Sequence, residues 1–183
     1  MSDGQSPQHL YPTPDLQREA KAAADGLLDR VWDEDRYPVD PFEIALRSGV
    51  GAEILDIPED VSGILRKRPN EQPIIYVDAD DNWRRQRFTC AHELGHFVRR
   101  QEAVGRGEDV NDDFGYVDRR SDLSSRGTDP SEMFANAFAA NLLMPSSAVS
   151  SLSALGMTTQ DLAQFFDVSL ISMEYRLKSL GLS

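Results

Sequence analysis

From Asp15 to Trp32 the apolar positions Leu16, Ala20, Ala23, Ala24, Leu27, Leu28 and Val31 recur three and four residues apart, which predicts an amphipathic helix. The stretch before it, MSDGQSPQHLYPTPD, is polar, proline-rich and aperiodic, so residues 1–14 read as a disordered tail. Pro41 stands where a helix can begin, and PFEIALRSGV predicts a short second helix ending near Gly49 or Gly51. GAEILDI then alternates as a strand does. VSGILRKR and PIIYVDA follow, two β-like runs around Pro69, Asn70, Glu71 and Gln72, and predict a hairpin. The basic triplet Arg66, Lys67 and Arg68 near its tip fits a solvated turn.

The pattern changes at WRRQRFTCAHELGHFVRR, residues 83–100. Phe88, Ala91, His92, Gly95, His96 and Arg99 keep helical spacing, and a long helix is predicted. No period is visible from Gln101 to Thr128, a glycine- and acid-rich stretch whose length suggests a functional or mobile loop. Asp129-Pro130-Ser131-Glu132 announces the next helix: an acid to cap it, proline at its first position and glutamate at its third. EMFANAFAANLLM is apolar almost all round, so that helix should be buried, and Pro145 should stop it. The ending MTTQDLAQFFDVSLISMEYRLKSLGLS predicts two short helices joined by a turn at Asp167–Ser169.

With 183 residues, 40% of them hydrophobic, the chain is long enough for one compact domain with a small appendage. We divide it into a tail, a core over 15–145 and a helical element over 146–183 packed on that core. The net charge of −12 repels phosphate backbones, so direct nucleic-acid binding is not expected. In the last helical pair Asp161, Asp167 and Glu174 outnumber Arg176 and Lys178, which argues against a DNA-binding helix-turn-helix and for a packing or substrate-docking role. Cys90 is the only cysteine, so no internal disulfide can form, and a cytoplasmic location is expected. No secretory leader and no apolar run of membrane-spanning length is visible, so no membrane partner is expected.

Chemistry enters with His92-Glu93-Leu94-Gly95-His96, an HExxH pattern. Histidines four apart on a helix share a face, and both imidazoles can reach one zinc ion at about 2.0–2.1 Å. Glu93 points about 100° away around the helix, so it is placed to act as a base toward the attacking water. Two histidines could instead merely pack on a core face, but only three histidines exist in the chain and two stand here. Gly95 costs about 0.5–1 kcal/mol in a helix interior relative to alanine, which is explained if another backbone approaches there. A third ligand is needed, and the remaining histidine, His9, lies in the expected tail. Glu132 is favoured, because its helix otherwise carries apolar residues into the core and a buried carboxylate requires a partner. Asn136, one turn later, could orient a ligand. A purely capping role for Glu132 is the competing reading, and Asp122, Asp129 and Glu102 remain alternative ligands. Cys90 fits a packed thiol. Tyr116 and Arg120 could steady an oxyanion, but surface roles are as plausible and neither is assigned.

RFTCAHELGHFVRR followed by SEMFANAFAANLLMP resembles the ImmA/IrrE family of metallopeptidases. The matching positions are Arg87, Phe88, Ala91, the HELGH run, Glu132, Ala135, Asn136, Phe138, Ala139, Leu142, Leu143, Met144 and Pro145. The C-terminal DLAQFFDVSLISMEYRLKSLGL is also similar, so the resemblance spans roughly residues 40–183. Many relatives carry a second glutamate directly before the Ala-Asn pair, where this chain has Phe134, and the segment between His96 and Glu132 is long. The resemblance implies an α+β fold: a zincin-like core with a small β-sheet packed on the HExxH helix, plus a helical C-terminal element. It fits Zn2+ held by His92, His96 and Glu132, with Glu93 catalytic; Mn2+ or Fe2+ can also occupy a His/carboxylate site of this kind. It also implies a protein substrate, a helix-turn-helix repressor encoded nearby in a phage, mobile element or stress operon. Two other readings stay open: a metal-binding protein that sequesters its partner without cutting it, and a transcriptional regulator.

Overall fold

Prolines and short polar side chains set where most of the helices begin. Thr13 caps α1 (Pro14–Val31), accepting from the backbone N–H of Leu16, and Asp40 caps α2 (Pro41–Arg47), accepting from Phe42 and Glu43. In both, proline occupies the first turn, where its missing N–H has no cost. The computed structural model describes residues 13–33, 36–108, 111, 113–119 and 129–182, and in 116–119 the backbone only. The expected tail, apart from Thr13 and Pro14, lies outside these residues.

Three strands follow: β1 (Gly51–Leu55), β2 (Val61–Lys67) and β3 (Ile74–Asp78). β2 and β3 form the expected antiparallel hairpin, its turn passing through Asn70 in the left-handed region at φ 61°. β1 runs parallel to β3. After α3 (Trp83–Gly105), a fourth strand, β4 (Phe114–Arg119), pairs antiparallel with β2, giving the order β1-β3-β2-β4. The sequence pattern places no strand between 101 and 128. Phe114–Arg119 has little alternation of its own, and its strand character comes from the ladder β2 offers it. α3 also runs five residues past the predicted end at Arg100.

One face of the sheet packs on α3, through Leu65, Ile75 and Val77 on one side and Cys90, Ala91 and Leu94 on the other. α4 (Pro130–Leu143) lies between α3 and α1. Phe134, Phe138 and Leu142 fill its core side, and α1 meets it through Ala20, Ala23 and Ala24, whose small size lets the two helices approach. This is the α+β architecture expected, seven helices and a four-stranded mixed sheet among the described residues.

α5 (Ser146–Ala154), α6 (Thr159–Phe165) and α7 (Leu170–Ser179) complete the chain. The pattern did not predict α5: SSAVSSLSA is serine-rich, a poor helix former, and buries only Val149. α6 starts with a reciprocal cap between Thr158 and Asp161, and the α6–α7 turn falls where expected, with Asp167 at φ 50°. The Asp167 carboxylate accepts from Trp83 Nε1, Arg84 Nε and Arg87 Nη1 at 3.1, 3.0 and 3.2 Å. Arg87 is almost wholly buried and also donates to the carbonyls of Val39 and Phe166. Burial lowers its pKa and Asp167 opposes that shift. These bonds fasten the first turns of α3 to the C-terminal helices. No helix among the described residues is long and apolar enough to cross a membrane.

Candidate metal centre

The separation of α3 and α4 fixes the geometry of the centre, and Gly95 fixes that separation. A β-carbon at Gly95 would lie 3.1 Å from the Ala135 Cα and 3.0 Å from Phe138 Cδ1, so a side chain there would push the two helices apart by a few tenths of an ångström. The close approach inferred from the glycine alone is present, and the neighbour is α4.

At this crossing His92 and His96 turn their Nε2 atoms toward each other, 3.2 Å apart. The Glu132 carboxylate closes the triangle: Oε2 lies 3.3 Å from His92 Nε2 and Oε1 lies 3.1 Å from His96 Nε2. Three donors held at about 2.0–2.1 Å by a tetrahedral cation would stand about 3.3 Å from one another, so this spacing fits a divalent metal such as zinc. Glu132 does not spend its carboxylate on a capping box. Asp129 caps α4 through Oδ1, which accepts from Ser131 N at 2.7 Å. Of the alternative ligands, Asp129 is therefore engaged elsewhere, Glu102 is not in the cluster, and Asp122 lies outside the described residues.

The imidazoles are steadied from behind. His92 Nδ1 is 3.0 Å from Asn136 Oδ1, and His96 Nδ1 is 3.2 Å from Ser131 Oγ. With Nδ1–H donating to these oxygens, each Nε2 presents its lone pair to the centre. Asn136 is on the face the sequence indicated. Ser131 was not anticipated, because its hydroxyl reaches His96 only through the α3–α4 crossing. Burial disfavours the charged form of Glu132, but the two imidazoles, when they carry a proton on Nε2, outweigh it and hold the carboxyl well below the usual carboxylate range; a cation bound by Nε2 lone pairs would take the place of those protons. Two neutral nitrogens and one ionised carboxylate form a donor set suited to a cation.

Glu93 lies outside the triangle. It is completely buried and packs against β2, where a β-carbon on Gly63 would lie 3.1 Å from its Oε1. Cys90 is buried too, and burial pushes its thiol pKa well up, so it packs as a neutral group. Arg120 and the Tyr116 side chain lie outside what is described.

The family model for the IrrE N-terminal-like domain, Peptidase M78, matches residues 47–178. The chain belongs to this family. Membership supports a peptidase role, and the matched span covers the sheet, the histidine helix, α4 and most of the C-terminal helices of this M78 domain. No curated protein sequence matches the chain significantly. Among solved structures, a Mycobacterium tuberculosis transcriptional regulator resembles it at a TM-score of 0.59 and 17% identity, over 91% of this chain and 48% of that one. The chain thus spans about half of that structure, and the likeness is one of fold.

Proposed function

We propose that the protein is a zinc-dependent peptidase that cuts a helix-turn-helix repressor and so relieves repression. The observation that carries the peptidase reading is the convergence of His92, His96 and Glu132 at mutual distances of 3.1–3.3 Å beside a buried glutamate. These three side chains would hold the metal, which when bound supplies polarisation of the scissile carbonyl and a more acidic water. Glu93 takes the proton of the attacking water and passes it to the leaving amine nitrogen. Asn136 and Ser131 keep the imidazoles in the tautomer and orientation that point Nε2 inward. Burial of Glu93 keeps its carboxylate away from bulk water, where a proton would otherwise exchange before the amine leaves.

The repressor as substrate follows from the family resemblance, and the occurrence of a similar fold within a transcriptional regulator is consistent with a regulatory setting. The α6–turn–α7 unit favours one other reading, a regulator that binds DNA itself. Its acidic balance speaks against that.

Incubating the metal-loaded chain with the helix-turn-helix protein encoded beside it, in parallel with Glu93→Gln, tests the proposal. Cleavage by the parent alone supports it. Tight binding by both without cleavage means sequestration instead, and DNA binding by the isolated chain at physiological salt means a regulator.

A further inference from the structure

A groove of about 570 Å³ lies between α4 and α7, within the range of about 300–1,000 Å³ usual for small-molecule sites. None of His92, Glu93, His96 and Glu132 lines it, so it is a separate space that meets the metal centre only at Asn136, behind His92. Met133, Ala137, Ala140 and Met144, which share one face of α4, give it an apolar wall. The alanines leave the room and the methionines supply flexible, polarisable sides. Its charged lining is Arg176 and Lys178 with no acid, in a chain carrying 31 acidic and 19 basic residues.

Arg176 is 5% exposed, yet its side chain donates only to neutral acceptors. Nε donates to the Met144 carbonyl at 2.9 Å and Nη2 to Asn141 Oδ1 at 2.8 Å, and Nη1 takes part in neither bond. These bonds hold the end of α4, whose last carbonyls carry about half a negative charge and so offset only part of the guanidinium. No ion pair to Arg176 is found among the described residues, and Asp25 acts on it through its field alone. Burial pushes its pKa down to about 10, so the guanidinium stays charged at neutral pH. A buried cation without an adjacent carboxylate binds one strongly, because its desolvation has already taken place in folding.

We infer that this groove is a binding site for a small amphiphile, a carboxylic acid with an unbranched apolar tail, its carboxylate on Arg176 and its tail along α4 toward Met133. Arg176 sits at the Asn141–Met144 end of the wall, and Met133 lies eight residues back from Asn141, about 12 Å at 1.5 Å per residue. A peptide suits the groove less well: its backbone N–H and C=O groups need partners, and the backbone of α4 is already bonded within the helix. Lys178, exposed at the rim, adds to the attraction for an anion. The site does not depend on the peptidase reading, since no metal donor lines it.

Isothermal titration of the zinc-loaded, full-length chain with hexanoate, octanoate and decanoate, each beside its primary amide, tests this. The amide keeps the shape of the acid and removes its charge. Each acid should bind about tenfold or more tighter than its amide, and each added CH2 should tighten binding about two- to fourfold. With isotope-labelled methionine methyl groups, decanoate should shift the Met133 and Met144 signals and leave that of Met157, which lies outside the groove, in place. Ala140→Phe, which fills the groove, should abolish binding of acid and amide alike. Arg176→Gln with an unchanged Tm should bring decanoate down to the level of its amide, and the acid–amide comparison on the parent decides the matter if that variant does not fold. Equal binding of acid and amide, no binding of any acid, full binding by Ala140→Phe, or binding that leaves both methyl signals unmoved (as a carboxylate seated on the zinc would) overturns the inference. A short peptide of Asp and Phe that displaces decanoate at equal concentration overturns the choice of ligand class.

Discussion

Gly63 of β2 and Glu93 of α3 are packed so closely that a β-carbon on the glycine would stand 3.1 Å from Glu93 Oε1 and 2.4 Å from the Thr89 methyl. The sheet therefore sets the position of the proposed base: β2 is the wall against which the Glu93 side chain lies. A Thr methyl cannot swing aside as the end of a long side chain can, so added bulk at Gly63 moves the helix or the carboxylate.

Gly63→Ala is expected to cost about 1–3 kcal/mol of stability, the usual range for overpacking a dense interior. It should also lower peptide cleavage while leaving metal affinity near that of the parent, since the added methyl meets Thr89 and Glu93 and none of His92, His96 and Glu132. Urea denaturation, a metal-competition titration and a cleavage assay separate the three effects. Unchanged stability and cleavage would mean that α3 and β2 are not in this contact.

Gly95→Ala should have the opposite signature. The added methyl meets the Ala135 backbone, which cannot yield without moving α4, and α4 carries Glu132. Parting the helices draws the carboxylate away from both imidazoles, so metal affinity should fall along with stability. Competition with a chromogenic chelator measures the first and thermal unfolding the second. A variant with parent-like affinity would show that the α3–α4 distance does not set the donor spacing.

Asn136→Ala and Ser131→Ala each remove the group behind one imidazole and leave all three donors in place. Loss of such an orienting group typically costs about 10–100-fold in metal affinity. Zinc affinities of the two single variants and the double variant test this, with the double variant at least as weak as either. An affinity equal to the parent in both single variants would remove these residues from the account.

Asp167→Ala leaves the Arg87 guanidinium buried without its carboxylate and releases Trp83 and Arg84 as well. Removing one partner of a fully buried pair costs about 3–5 kcal/mol, and because Asp167 is partly exposed to screening solvent about 2–3 kcal/mol is expected. Equilibrium unfolding reads the loss. A change below about 0.5 kcal/mol, the level of an ordinary surface substitution, would show that the clamp contributes nothing.

Much of this organisation was legible before any coordinates. α1, α2, the β2–β3 hairpin, α3, α4 and the α6–α7 pair each carry their own periodicity, proline or cap, so local chemistry placed them. β4 was not legible, because an edge strand interrupted by Gly115 and Asp118 takes its conformation from the partner it pairs with. α5 was hidden by serines. Arg87 could be matched to a family pattern but not to Asp167, which lies eighty residues away and meets it only when the α6–α7 turn docks on α3.

The sequence by itself determined that two imidazoles share one helical face with a glutamate beside them, since those relations need nothing beyond the 3.6-residue period of a helix. It also marked Gly95 as a point of close approach and Glu132 as an acid entering an apolar helix. Only the tertiary structure decided that these two facts are one: the approach at Gly95 brings α4 near enough for Glu132 to complete the triangle and for Ser131 to stand behind His96. Only it decided, too, that Arg176 ends in an apolar groove with neutral acceptors around it. The physical reason is range. Propensity and periodicity act over a few residues, whereas donor spacing and burial of charge depend on how helices far apart in the chain come to rest against each other.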